Sequence, residues 1–277
     1  MAINNFIPTI WSEHLYTSMK RKRVAVEHCN RIYEGDILGK GSVVKICGLG
    51  HVAIHDYSKN TNILEPQTLS DNARNLEINN AYYFNFLIDD IDRTQAAPHL
   101  MELAINNAAA SLANMAEIVV FDQYSQAHYC LSHEMPSSED VFNYILDART
   151  LLMEQNVDNP NDIVIELSPK AANLLYKAKL ATISDNASMM ETGCIGNVGG
   201  SKVYISSQIS SDVDGTYHTH HCIVRSKRAI AFAEQLSEIE AYRPELRFAD
   251  AVKGLYLFGC KTIYPNEIVS LDFTFEE

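Results

Sequence analysis

The chain has 277 residues, 47% apolar and 21% charged, the make-up of one large folded domain or two modest ones, which excludes disorder over its whole length. Six cysteines are too few for a disulfide scaffold, and no run reaches the ~18 consecutive apolar residues that mark a membrane helix. Lys and Arg total 22 against 35 Asp and Glu, for a net −13, so the chain as a whole repels nucleic-acid phosphate. The first residues lack a basic start followed by an apolar core, so no signal peptide is expected, and the cysteines read as reduced thiols in a cytosol. Charge is uneven: residues 1–31 carry +3 and the remainder −16. The run Lys20–Arg23 is either a solvated helix end or an arm that docks on an acidic neighbour.

In chain order, Trp11, Leu15 and Met19 fall on one face of a helix within residues 1–34. Glycines then punctuate residues 35–50, and Val44 and Ile46 share one strand face. A polar run from Tyr57 to Asn75 follows. Beyond it Tyr82, Phe84, Phe86 and Ile88 alternate with Tyr83, Asn85 and Leu87. The pattern predicts a long two-stranded excursion with an irregular tip, which has little core of its own and needs something to lie on.

A long helix is predicted from about Pro98 to Phe121, with an apolar stripe of Leu100, Leu103, Ala104, Ala108, Leu112, Met115, Ile118 and Val119 and with Asp90, Asp92 and Thr94 at its start. Ser137 to Asp140 opens a second helix, with Val141, Ile145, Ala148 and Leu152 as its buried side. The turn Asp158–Asp162 is a boundary. A strand at Ile163–Ile165, a helix capped by Ser168 and started by Pro169, and a strand at Val203 and Ile205 give an α/β unit. The last fifty residues return to strand character at Leu255–Phe258 and Ile268–Leu271.

Motif chemistry is sparse. His218, His220 and Cys222 share a face if extended, a donor set that zinc accepts, but no second ligand pair is spaced to complete it, and a polar strand edge is the better reading. Cys29 beside His28 fails as a catalytic pair, because sequence neighbours point apart in most backbones. The glycines of Gly193–Lys202 miss the phosphate-loop spacing. No cofactor is expected and no catalytic residue is assigned. A cytosolic metal or thiol enzyme centred on His218–Cys222 stands as an alternative.

Several segments, in order along nearly the full chain, resemble the major capsid proteins of tailed bacteriophages, the family with the Hong Kong 97-type fold. They are Phe6-Ile7-Pro8-Thr9-Ile10-Trp11-Ser12, Asn30-Arg31-Ile32-Tyr33-Glu34-Gly35 and Gly41-Ser42-Val43-Val44-Lys45-Ile46. The strongest is Tyr83-Phe84-Asn85-Phe86-Leu87-Ile88-Asp89-Asp90-Ile91-Asp92. Gly199–Ser206, Arg228–Gln235, Tyr242-Arg243-Pro244-Glu245 and Gly254–Lys261 follow.

The resemblance implies an α+β chain with an N-terminal arm (1–34), an extended two-stranded loop (35–90), a peripheral domain with a long spine helix (91–155 and 226–277) and an axial α/β domain (156–225). It implies a self-assembling, non-enzymatic subunit forming pentamers and hexamers in an icosahedral shell around double-stranded DNA. The acidic balance would contain that polymer without gluing it. A separate scaffolding protein and a portal are expected partners, a membrane is not, and the location is the virion after assembly in the host cytoplasm. Subunit contacts are expected at Trp11, Lys20, Arg21, Lys22 and Arg23 of the arm, at Asp56, Lys59 and Glu65 of the loop tip, and at Arg243, Glu245 and Arg247. A cargo shell of the encapsulin kind, enclosing protein instead of a genome, has the same architecture.

Overall fold

The computed structural model describes residues 15–20, 23–33, 42–49, 54–57, 59, 62, 65, 71–89, 100–178, 182–183, 193–236 and 239–276. The acids and the proline expected at the start of the long helix, Asp90, Asp92, Thr94 and Pro98, lie outside them. Two sheets carry the molecule, each backed by helices and linked through one shared apolar core.

The larger sheet has eight strands. Seven run in the order β4 (Tyr129–Glu134), β14 (Ile268–Glu276), β10 (Tyr217–Ser226), β5 (Ile163–Leu167), β8 (Ser201–Ile205), β7 (Cys194–Val198) and β6 (Thr182–Ile183), and β9 (Ser211–Asp214) pairs with β10. Helix α1 spans residues 15–20, α2 is Leu100–Phe121, α3 is Ser138–Glu154 and α4 is Pro169–Ala178. Ser137 and Asp140 form a reciprocal capping box on α3, and Val141, Ile145, Ala148 and Leu152 are its buried face, as the spacing predicts. The Ser168 hydroxyl accepts from Ala171 N at 3.3 Å at the start of α4. Strand β5 is buried at every position between its two neighbours, an apolar run interrupted only by Glu166.

The smaller sheet is organised by β13 (Ala249–Thr262). Along one edge it pairs with β3 (Asn80–Asp89); along the other it pairs with β12 (Glu240–Tyr242) and then β11 (Ile230–Leu236). The alternation in β3 is real: Tyr82, Phe84, Phe86 and Ile88 turn inward, while Tyr83, Asn85 and Leu87 are exposed.

Three expectations are corrected. The partner of β1 (Val43–Leu49) is β2 (Asp71–Glu77), in a ribbon that pairs Val43 with Glu77 and Leu49 with Asp71. The predicted return strand, β3, belongs to the smaller sheet instead. The polar residues of 71–75 hid a strand because a two-stranded ribbon exposes most of its surface. Second, the buried face of α2 is Ile105, Ala109, Leu112, Ala113, Ala116 and Val120, whereas Leu103 is 57% exposed. The exposed side carries Asn107, Ser111 and Asn114 at helical spacing, while alanines and apolar residues fill the other sides, so the apolar stripe alone defines the rotation weakly. By length and composition, residues 102–126 are also apolar enough to cross a membrane; in this fold that stretch lines the core. Third, β14 and β4 sit in the eight-stranded sheet, so the C-terminal strands are divided between the two sheets.

The ribbon's root does lie on something, namely its own sheet. Val44, Ile46, Leu76 and Ile78 pack on Ala231, Ala233, Leu257 and Ile263. The approach is close enough that a Cβ on Gly259 would sit 2.4 Å from the Glu77 carbonyl oxygen. Arg74 donates across the same junction to the carbonyls of Thr262 and Ile263.

Candidate assembly surfaces

The arm root, residues 23–31, is fixed from three sides. Glu117, on the buried face of α2, accepts from the backbone N–H groups of Val24 (2.9 Å), Ala25 (3.0 Å) and Val26 (3.1 Å). Burial pushes its carboxyl up, and those donors pull against that shift.

From the opposite side, Arg225 of β10 donates to the carbonyls of His28 (3.0 Å) and Ala25 (2.9 Å). Its remaining donors make a bidentate pair with Glu166 of β5 at 2.9 and 2.8 Å, and both side chains are fully buried. Third, Arg23 donates to Glu234 Oε1 at 2.7 Å and to the Tyr256 hydroxyl at 3.0 Å, and Arg31 and Tyr256 donate to the same carboxylate. Burial works against the Glu234 charge, but Arg23, Tyr256 and Arg31 outweigh it and hold the carboxyl below its usual range. A parallel bridge between Asn30 and Ala231 completes the attachment.

The expected contact residues sort themselves accordingly. Arg23 is not a surface charge: its side chain is 1% exposed and ion-paired inside its own chain. Lys20 is exposed at the end of α1, whose Leu15 and Met19 are buried. Trp11, Arg21 and Lys22 lie outside the described residues. Asp56, Lys59 and Glu65 are exposed on the ribbon's distal part, and Arg243, Glu245 and Arg247 are exposed on the turn between β12 and β13.

Beside these charges stand large apolar side chains that sequence reading passed over. Ile54 is 94% and Tyr57 74% exposed on the ribbon side, and Leu246 is 97% and Phe248 82% exposed on the turn. Tyr83 and Leu87 add to the outer face of β3. A folded chain exposes single apolar residues routinely, and here they stand in two pairs, each close in sequence to exposed charges. The missed signal was present: Leu246 and Phe248 interrupt a charged turn, and Glu117 is the sole ionisable residue between Ala108 and Val120.

The His218–Cys222 segment is β10, at its crossing with β9 and β14. Cys222 is in the core, where its sulfur accepts from Ser168 N at 3.3 Å and burial pushes the thiol up to about 11. Cys29 is likewise pushed up to about 12 by burial, and His28 down to about 4 by burial and by Arg225, Lys227 and Lys202. Those shifts run opposite to what a nucleophilic thiol–imidazole pair needs. His221 bonds Asp272 Oδ1 at 2.8 Å and Asp212 Oδ2 at 3.2 Å and stacks on Tyr124 with ring centres 3.9 Å apart. Among the described residues no group of three or more His, Cys, Asp or Glu is arranged to hold a metal ion.

No protein-family model and no curated protein matches the sequence. Solved structures do. The chain superposes on a protein of Mycobacterium phage Che8 with a TM-score of 0.69 at 27% identity, over 90% of each chain. It superposes on the capsid of Ralstonia phage GP4 with a TM-score of 0.69 at 11% identity, over 90% of this chain and 87% of that one. A virus-like particle from Pyrococcus furiosus shares the fold at a TM-score of 0.56 and 12% identity, over 94% and 96% of the two chains.

Proposed function

We propose that this chain belongs to the tailed-bacteriophage major capsid protein family and is the subunit that assembles into an icosahedral shell around a double-stranded DNA genome. The observation that carries the reading is the near-complete overlay on a chain of phage Che8 and on a chain of the phage GP4 capsid. The role is structural, its partner is first of all itself, and its place is the virion capsid. Residues 15–33 are the root of the arm, the β1–β2 ribbon is the extended loop, and the smaller sheet with α2 is the peripheral part. The eight-stranded sheet with α3 and α4 forms the axial part, and pentamers and hexamers are the assembly units. A separate scaffolding protein and a portal complete the partner set, with assembly in the host cytoplasm.

Contacts between subunits use Ile54, Asp56 and Tyr57 with Lys59 and Glu65 on the ribbon, and Arg243, Glu245, Leu246, Arg247 and Phe248 on the turn. An apolar centre ringed by charge is the make-up of a specific interface. Light scattering and negative-stain microscopy of the full chain test this. Closed shells or discrete pentamers and hexamers are expected. Ile54→Asp with Tyr57→Asp, or Leu246→Asp with Phe248→Asp, should leave a folded subunit that fails to close, because all four side chains are exposed in the single chain. A stable monomer under every condition, with the neighbouring phage proteins present, would overturn the shell reading. Normal shells from either variant would remove that surface from it.

A second reading is a shell of the encapsulin kind around protein cargo, since a virus-like particle shares the fold. Nuclease-protected DNA inside purified particles distinguishes the two.

A further inference from the structure

The arm root and β8 enclose a pocket of about 540 Å³ whose walls include Lys20, Arg23, Glu27, His28, Lys202 and Tyr204. Its size is that of a small-molecule or nucleotide site. Lys20 and Lys202 come from segments about 180 residues apart, both side chains are exposed, and neither has an ion-pair partner among the described residues. Glu27, the one acid on the wall, is spent on Arg31 at 3.4 Å. Arg23 is engaged by Glu234, while its Nε is buried without a hydrogen-bond partner.

The floor is aromatic: the His28 and Tyr204 rings lie 4.3 Å apart, tilted at 53°. Arg225, Lys227 and Lys202 all bear on His28 as positive charges and, with burial, keep the ring neutral at physiological pH. In a chain of net −13 two exposed lysines line one open cavity, and among the described residues the single carboxylate on its wall is already paired.

We propose that this pocket binds a phosphate group, monoester or diester, between Lys20 and Lys202. Two ammonium groups converging on a cavity suit a tetrahedral oxyanion, whose charge they neutralise from two sides. The phosphate has two available sources, the backbone of a nucleic acid and a soluble phosphate compound. The pocket reads charge and shape, so it carries no base-sequence preference.

The test uses the full chain, a fluorescent 20-base-pair duplex and inorganic phosphate as probes, and the variant Lys20→Gln with Lys202→Gln. Lys177→Glu, exposed on α4 away from the pocket, controls for net charge. The double variant should weaken duplex binding roughly tenfold or more and reduce the salt slope by about 2, one unit per lost phosphate contact, while Lys177→Glu leaves both near wild type. Saturable binding of inorganic phosphate, lost in the double variant, with no gain for duplex assigns the site to a soluble phosphate. Duplex binding far tighter than phosphate assigns it to nucleic acid. Equal losses in the double variant and Lys177→Glu, no binding of either probe by the wild type, or capture of a polyglutamate peptide in preference to both, would overturn the proposal. None of these readouts depends on shell formation, so failure here and failure of the capsid reading are separable.

Discussion

Arg225 and Glu166 are diagonal neighbours on one face of the β10–β5 pair, both without solvent access, and the guanidinium still has donors left for two carbonyls of the arm root. One ion pair therefore joins the middle of the large sheet to the N-terminal segment. Burying two charges is costly, and the carbonyls at Ala25 and His28 complete the hydrogen bonding that makes it tolerable.

Removing half of that pair should be severe. Arg225→Met leaves Glu166 buried and two carbonyls unsatisfied, and should lower unfolding free energy by about 3–5 kcal/mol. Arg225→Met combined with Glu166→Leu should recover part of the loss, because no orphan charge remains. Urea unfolding of the wild type, the single variants Arg225→Met and Glu166→Leu, and the double variant checks this, and simple additivity of the two single losses would contradict the pairing.

Glu117 is read the same way from the helix side. Three buried N–H groups share its two oxygens. Glu117→Ala should cost about 3 kcal/mol or more, at about 1–3 kcal/mol for each orphaned donor. Glu117→Gln should rescue little, since an amide offers one acceptor oxygen and turns N–H groups toward N–H groups. Hydrogen exchange at residues 24–26 should rise in both variants while the core of β10 stays protected. Unchanged exchange there would remove Glu117 from this role.

His221 sets a pH dependence. Burial alone would lower its pKa, but Asp272 and Asp212 outweigh that, so it lies above the ordinary 6.5. A protonated ring is thus favoured by the folded state. Its contribution is complete below about pH 6.5 and is lost as pH rises through the folded value. Asp272 is held below its usual range by His221, Ser270 and Cys130 against burial, so its share fades in the other direction, as pH falls. The Tm of the wild type should drop more between pH 6 and pH 8.5 than that of His221→Gln. Parallel pH profiles would refute the linkage.

Gly259 tests the seat of the ribbon. A methyl group there meets the Glu77 carbonyl oxygen at 2.4 Å and Ile78 Cδ1 at 2.9 Å. Gly259→Ala should cost about 1–3 kcal/mol, as overpacking does. It should also raise exchange in residues 74–78 before it affects β11. A wild-type Tm would mean that the ribbon shifts without resistance.

Much of this was legible in the sequence where a local rule had one solution. The α3 face and its Ser137 cap, the start of α4 at Ser168-Pro169, and the alternation of β3 follow from period and capping alone. Pairing was not legible. Residues 71–77 look like loop because Asp71, Asn72, Arg74 and Asn75 give no apolar alternation, and β3 resembles the return strand because its alternation is the first clear one after β1. The rotation of α2 depended on one carboxylate finding backbone donors some 90 residues away. The charged contact candidates were visible as charges, whereas Arg23 differed from Lys20 only through Glu234, which lies 211 positions later.

That separation bears on synthesis. Residues 23–31 leave the ribosome early, yet their partners Arg225 and Glu234 are 200 and 211 positions downstream. At roughly 5–20 residues per second the segment waits roughly 10–40 s for them. This segment is thus made well before the partners that fasten it. Every nascent subunit passes through an interval in which its basic leading segment is loose, open to chaperones and to other chains, and a subunit truncated before residue 225 never leaves it.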